Sequence, residues 1–505
     1  MSRKSTDERL FDFADRSNET EEDYSGRSRG HISDALSRFV RSGTSLIAFS
    51  LIALIILFSV IAPLFIDRQE NAIDTYYSKK GPRITLTADT VGLICGGRVK
   101  SMRSKALIKT VGIGIGATEN SNVNYMDLPY QPLKAVRSSS GTENTVYKVR
   151  VDSYLEVGFV YKTLEQEEYL DILEFEKREG IQVLYPLIEG DKYGRGDPNL
   201  WYKCDKDENP LRTLGNGEYE IIEFSDYIPL EENYMKKNGE YVYKSYVGGG
   251  NFDTAQLRVR VLYYNYYKYK NGEYPTYLFG TDSQGYDLTL RVAGGIRLSL
   301  LIAILVSAIN VVIGCAMGAV SGFFGSSVDL LTQRVTDIIS GVPFVVVATL
   351  FQIHLASRVG VVPSLLFAFV LTGWITLSLR VRAQFLRVRS EEYVLASRTL
   401  GASNLRLIFK HIFPNIIGTV LTTAAIMIPG VIFGESMLSY LGIVNLGGSE
   451  MSSLGTLLAE AGSIWTNYPH LMLFPASIIS ILMVCFNLIA GGLRDAMNPT
   501  MKNQV

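Results

Sequence analysis

Cysteine is scarce, at four residues in 505, which excludes a small scaffold stapled by disulfides, and no C-x-x-C spacing offers a zinc site. Histidine is equally rare. His31, His354, His411 and His470 are scattered along the chain, so no metal centre is expected. The phosphate-cradling pattern G-x-x-x-x-G-K-[ST] is missing, and with it a nucleotide site of that kind. H-E-x-x-H, Ser-His-Asp spacing and paired-carboxylate contexts are missing too, so the chain reads as no enzyme on its own and no cofactor is expected. Net charge is also nearly absent. With 49 basic and 50 acidic residues the formal charge is −1, which gives no overall pull toward nucleic acid.

What is present is unevenly distributed. Residues 67–277 hold 59 charged side chains in 211 positions and 24 of the 29 tyrosines, whereas residues 278–505 hold only 23 charged side chains in 228. The mean hydropathy of +0.14 is therefore a blend of two compositions suited to two solvents. A bilayer core about 30 Å thick is crossed by roughly 20 apolar residues in a helix. Thr44–Ile66, Leu298–Phe324, Ile338–Ile353, Val359–Leu379, Ile412–Phe433 and Leu471–Leu493 are the candidate spans, the third being short and closed by His354. A soluble helix can imitate one such run, but not all six. The expected fold is an α-helical membrane protein of six transmembrane helices, with a large extracytoplasmic α+β insert between helices 1 and 2. The chain divides into a tail (1–43), a first helix (44–66), the insert (67–277) and a five-helix core (278–505).

Lys and Arg near helix ends set orientation. Arg27, Arg29, Arg38 and Arg41 precede the first span, and Arg380, Arg382, Arg387, Arg389, Arg398, Arg406 and Lys410 lie between the fourth and fifth. Six spans with the N-terminus inside put both clusters in the cytoplasm and the insert outside. The first span reads as an uncleaved signal anchor, because the segment before it is long and polar and no A-x-A site follows. Ile32, Ala35, Leu36, Phe39 and Val40 recur at helical spacing, as in a helix lying in the membrane interface or an ordinary basic flank.

Within the insert, Asn216-Gly217, Asn238-Gly239 and Asn271-Gly272 each precede Glu-Tyr, and Asn-Gly favours a type I′ hairpin turn. Arg258–Leu262 alternates as a strand should, and Leu164–Glu179 suits an amphipathic helix. Tyr263, Tyr264, Tyr266, Tyr267 and Tyr269 form either a binding face or outward positions of a strand. Cys95 and Cys204 are the insert's cysteines, where an oxidising compartment permits a bridge and equally two separate thiols.

The stretch between the fourth and fifth spans, from Glu392 to Pro414, reads as helix, sharp turn, helix. Gly401 can take the left-handed conformation that stops a helix, and Ser403 is a natural N-cap. Leu405, Ile408, Phe409 and Ile412 form an apolar stripe before Pro414 opens the next span. An apolar helix pair bounded by arginines and held in water wants a protein surface to cover it, unless it rests on its own bundle.

This segment resembles the coupling loop of permease subunits from binding-protein-dependent ABC importers, and more narrowly the C-type subunit of oligopeptide, dipeptide and nickel importers. The family's loop runs E-A-A, three residues, Gly, nine residues, a hydrophobic pair and Pro. Here Ala396, Gly401 and Pro414 match, while Leu395 and Ser397 replace the glutamate and the second alanine. The Gly280–Asp287, Gly318–Gly325, Gly434–Gly442 and Gly492–Pro499 stretches are similar to further family motifs in the same order, whereas the insert has no counterpart. The resemblance implies a transport subunit in the bacterial inner membrane, beside a second permease subunit, two ATPase subunits and an extracytoplasmic binding protein. Leu395, Ala396, Gly401, Ser403, Leu405, Ile408, Phe409 and Pro414 would then form the ATPase-coupling loop. Asn310, Thr422, Thr423 and Asn487 are polar residues within spans, facing either the pathway or another helix. The competing class is a membrane sensor or scaffold whose insert binds a ligand or partner.

Overall fold

A computed structural model describes residues 31–66, 73–83, 97–103, 131–137, 143–189, 196–221, 233–248, 256–446 and 452–497. Two helices, α1 (His31–Arg41) and α2 (Gly43–Phe65), meet at Ser42. Arg38 and Arg41 occupy the last turn of α1, where positive charge complements the helix's negative end. α2 carries no charge in 23 residues, and Ser45, Ala48, Ile52, Ser59 and Ala62 form its buried side.

Among its described residues the insert region contains two main antiparallel sheets. β1 (Gly97–Arg103), β2 (Gln131–Arg137) and β3 (Glu143–Asp152) form one in the order β1-β3-β2. β4 (Phe159–Glu165) and β5 (Leu184–Tyr185) belong to the other. Hairpins β6–β7 (Leu211–Thr213, Tyr219–Ile221) and β8–β9 (Lys236–Lys237, Glu240–Tyr241) come next. β10 (Lys244–Gly248) and β11 (Gln256–Leu262) then complete the second sheet, in the order β10-β11-β4 with β5 also on β11. Leu257, Val259 and Val261 bury the inner face of β11, as the alternation predicts. Arg260 breaks the pattern: fully buried, it donates to the carbonyls of Pro198 and Pro186 at 2.7 and 3.1 Å, over the Phe159 ring. α3 (Gln166–Glu179) packs on this sheet and ends at left-handed Gly180. Leu164 lies in β4, two residues before that helix.

Local sequence misleads at two places here. Of the Asn-Gly pairs, Asn238 (φ +56°) and Gly239 (φ +86°) make the expected two-residue turn, and Asn216-Gly217 sits in a longer β6–β7 loop. Gly272 instead terminates α4 (Tyr263–Asn271). The tyrosines expected on a strand or binding face are therefore helical. Tyr263, Tyr264, Tyr266 and Tyr267 are buried with Tyr77, Tyr154 and Tyr277 in one aromatic core, since a helix concentrates them on the side facing the sheet. Cys95 falls outside the described residues, and so does its pairing with Cys204.

The remaining helices form the bundle. α5 (Leu288–Phe324) starts ten residues before its expected span, because Asp287 caps it by accepting from the Thr289 amide at 2.8 Å. The expected third span is not one helix. α6 (Ser326–Ser340) and α7 (Phe344–Val359) are bent by 74°, and Pro343, which lacks an N–H, sits at the break. α8 (Val361–Gly373) continues past Trp374 into α9 (Ile375–Val388), so Arg380, Arg382 and Arg387 are helical rather than in a loop. α10 (Glu392–Thr399), α11 (Phe413–Tyr440), α12 (Leu454–Ala461) and α13 (His470–Met497) follow among the described residues. Among the described residues, five helical segments are long and apolar enough to cross a membrane, or six if the bent pair counts as one.

Glycines allow the closest helix approaches. Gly314, Gly318 and Gly322 recur every four residues on α5, against Leu377, Ser378, Val381 and Phe385 of α9. At the other end of α5, residues 73–83 are laced to 277–287. Gly285 O accepts from the Asp74 amide, Asp282 O from the Lys79 amide, and Arg83 pairs with Tyr277. The Thr281 hydroxyl donates to Tyr77 O. Gly285, at φ +99°, leaves no room for a Cβ against Asp74 O. Residues 73–83 and 277–287 are thus joined just before the start of α5, whereas the α10 loop packs near its end.

Candidate functional site

The region around Gly401 forms as expected in outline. α10 stops at Leu400, Gly401 turns at φ +86°, and the Ser403 hydroxyl accepts from the Arg406 amide at 3.4 Å. A short turn, Asn404–Arg406, passes into a π-helical turn, Leu407–Ile412, and then into α11 with Pro414 in its first turn. Pro414, which has no amide to continue the ladder, sits where the π turn hands over to α11.

The apolar residues divide into two sets. Val394, Leu407, Ile408 and Ile412 are buried against Phe385 and Val388 of α9 and Phe323 at the end of α5. Leu395, Leu400, Leu405 and Phe409 point outward, with Leu400 88% exposed. The predicted stripe of Leu405, Ile408, Phe409 and Ile412 is therefore split. The wider π turn rotates Ile408 and Ile412 inward while Leu405 and Phe409 stay outside. Val394, Leu400 and Leu407 lie outside the predicted set; which side each takes depends on how the turn packs against α5 and α9, which periodicity does not specify.

The loop is fastened by arginines. Arg389 donates from Nη1 to the carbonyls of Gly322 and Phe323 at 3.0 and 3.2 Å, satisfying the end of α5. Arg382 pairs in bidentate fashion with Asp329 of α6, at 2.5 and 2.6 Å, and the Ser321 hydroxyl also donates to Asp329. Three helices meet at that carboxylate. The Tyr393 hydroxyl accepts from Asn415 Nδ2 at 2.6 Å, joining α10 to α11. The loop is thus tied to α5 through Arg389 at its start and to α11 through Tyr393, while Arg382 joins α9 to α6.

The polar residues within spans sit elsewhere. Asn310 is buried where α5 meets α8 and donates to Phe369 O at 3.4 Å, and Gly373 leaves it space. Thr422 and Thr423 return their hydroxyls to Gly418 O and Thr419 O at 2.7 and 2.8 Å. Asn487 is exposed on α13. The four do not converge. A polar cluster that sequence reasoning did not single out surrounds Glu435, which accepts from Ser299, Ser439 and Ser453 at 3.2, 3.1 and 2.5 Å. Its signal was available: Glu435 is the one acid in α11.

Residues 310–503 match the family model of the binding-protein-dependent transport system inner membrane component. The oligopeptide transport system permease protein OppC of Bacillus subtilis (strain 168) is 39% identical over 224 residues, 44% of this chain and 72% of that protein. The chain belongs to this family. Another similar member is the dipeptide transport system permease protein DppC of Lactococcus lactis, 37% identical over 224 residues, covering 44% of this chain and 64% of the relative. A solved inward-facing methionine ABC transporter, MetNI, is 14% identical with a TM-score of 0.35, covering 41% of this chain and 96% of that one. Residues 280–324 and 392–442, which hold the motifs resembling the family, form the helices and turns described above. A transport component of this kind is a multi-pass membrane permease, and the sensor or scaffold reading is set aside.

Proposed function

We propose that this chain is a peptide-importing permease subunit whose loop from Glu392 to Pro414 docks an ATPase subunit. The observation that carries the docking is the exposed apolar set Leu395, Leu400, Leu405 and Phe409, held on a turn whose other side is anchored in the bundle. Leu395 and Ser397 stand where the family's loop has Glu and Ala, so apolar burial rather than an ion pair at 395 supplies the contact. Ala396, Gly401, Ser403 and Pro414 shape the loop, and Ile408 transmits its displacement to α11. The peptide class rests on the substrates named for the relatives.

In this reading a second permease subunit completes the pathway and two ATPase subunits hydrolyse ATP. A binding protein delivers substrate on the insert side. Tail, loop and C-terminus face the cytoplasm, while the insert of residues 67–277 stands outside the core of residues 278–505. ATP binding favours one access state, and the fastened loop carries that difference into α5 and α11 as a rigid-body shift. Leu405→Asp with Phe409→Asp puts two charges into the contact. Substrate-stimulated ATP hydrolysis and peptide uptake by the assembled importer should fall at least about thirtyfold, since each buried charge costs about 1–3 kcal/mol or more unless paired. Undiminished activity would remove the docking assignment.

A further inference from the structure

α12 is eight residues long, too short to span, and it is held at both ends by polar contacts. At its N-terminus, Ser453 caps Thr456 N and donates to Glu435, while Ser299 of α5 accepts from Leu454 N at 3.4 Å. Gly455 approaches Ser436 of α11 so closely that a Cβ would lie 2.5 Å from the Ser436 Cα. At its far end, Glu460 meets Arg291 of α5 at 3.0 and 3.3 Å. Arg291 is 8% exposed and spends its remaining donors on Ser452 at 3.2 Å and on Asp282.

Asp282 belongs to the turn on which the insert is mounted. Its Oδ1 accepts from the amides of Gln284, Gly285 and Tyr286 at 2.9, 2.8 and 2.9 Å, and its Oδ2 from Arg291. One guanidinium therefore serves two carboxylates. Asp282 is 3% exposed and fixed, and Glu460 is 27% exposed and on the short helix. If α12 moves away, Glu460 enters water and Arg291 keeps Asp282, so no unpaired charge is left buried. A single buried pair lacks that route and resists opening.

We propose that Arg291 is a positioning residue that latches α12 as a gate at the insert end of the bundle, with Asp282 as the spare carboxylate that lets the latch open. The latch reading rests on the transport reading, and its test separates the two. Place a cysteine at buried Leu457 of α12 in the full assembled importer, and follow labelling at position 457 by a membrane-impermeant maleimide, mapped by peptide mass. Glu460→Gln should raise the labelling rate at least about tenfold, the equilibrium worth of one charge-assisted hydrogen bond. Asp282→Asn, which keeps the Oδ1 acceptor, should lower it, because opening then strands Arg291. Simple loss of stability would raise labelling in both variants. Equal direction in the two variants, or no change in either, overturns the latch. Absence of substrate-stimulated ATP hydrolysis in the parent would refute the transport reading instead, leaving the labelling result to stand or fall by itself.

Discussion

Gly318→Ala adds one methyl group where two helices nearly touch. An ideal Cβ there lies 2.5 Å from Ser378 O and 2.8 Å from Val381 Cβ, whereas ordinary contact begins near 3.4 Å. The obstacles are backbone and a branched Cβ, so no rotamer change relieves them. α5 and α9 must separate by about 0.9 Å, and a gap of 0.5–1 Å already forfeits roughly a quarter to a half of each dispersion contact. Gly314 and Gly322 lie in the same row, so their contacts weaken together. Overpacking of this kind costs about 1–3 kcal/mol, or roughly a factor of 5–150 in the folding equilibrium. Gly430→Ala in α11 is the control, with nothing within 4 Å of its added Cβ. It should be neutral or stabilising by up to about 1 kcal/mol, as for alanine replacing glycine in a helix. Reversible unfolding in bicelles, read as the difference between the two variants, measures the effect. If Gly318→Ala costs no more than Gly430→Ala, the close-approach argument fails.

Arg382→Ala and Asp329→Ala should each destabilise the α5–α6–α9 junction by about 1–3 kcal/mol, less than for a fully buried pair because both side chains are partly wet. A double-mutant cycle should show coupling of at least about 1 kcal/mol, and additivity would deny the pair its role. At the insert mount, burial holds the Asp74 carboxyl above its ordinary 3.8, against the opposing pull of the Tyr263 hydroxyl and the amides of Tyr77 and Tyr76. A raised acid contributes stability below its unfolded value and loses it as pH rises through the folded one, so the mount should loosen from acid toward neutral pH. Asp74→Asn should flatten that slope in hydrogen exchange of residues 74–80, and an unchanged slope would refute the assignment.

How much was legible depended on the range of the interactions involved. The candidate spans were read from runs of apolar residues, a property of consecutive positions. The turn at Gly401 was read from glycine's access to positive φ and the cap from Ser403, also local effects. Pro343 is visible in the chain, yet the 74° bend depends on where α6 and α7 pack, and the apolar run across it reads as one span. The tyrosine run at 263–269 departs from both the strand and the binding-face expectation for a similar reason. Tyrosine favours strands, but burial against Tyr77 and Tyr154 overrides that preference and makes the segment helical.

The apolar runs other than the third, the turn at Gly401 and the Ser403 cap are legible in the chain alone, because each rests on composition or on spacing within one helical turn. Tertiary structure decided which apolar residues of the loop remain exposed. It also brought Asp329 to Arg382 and made Arg291 shared between Asp282 and Glu460. These partners are from 9 to 169 residues apart in the chain. The packing of α5, α6, α9 and α12 against one another brings such groups within hydrogen-bond distance, and in the interior an unpaired charge is costly enough that the pairing matters.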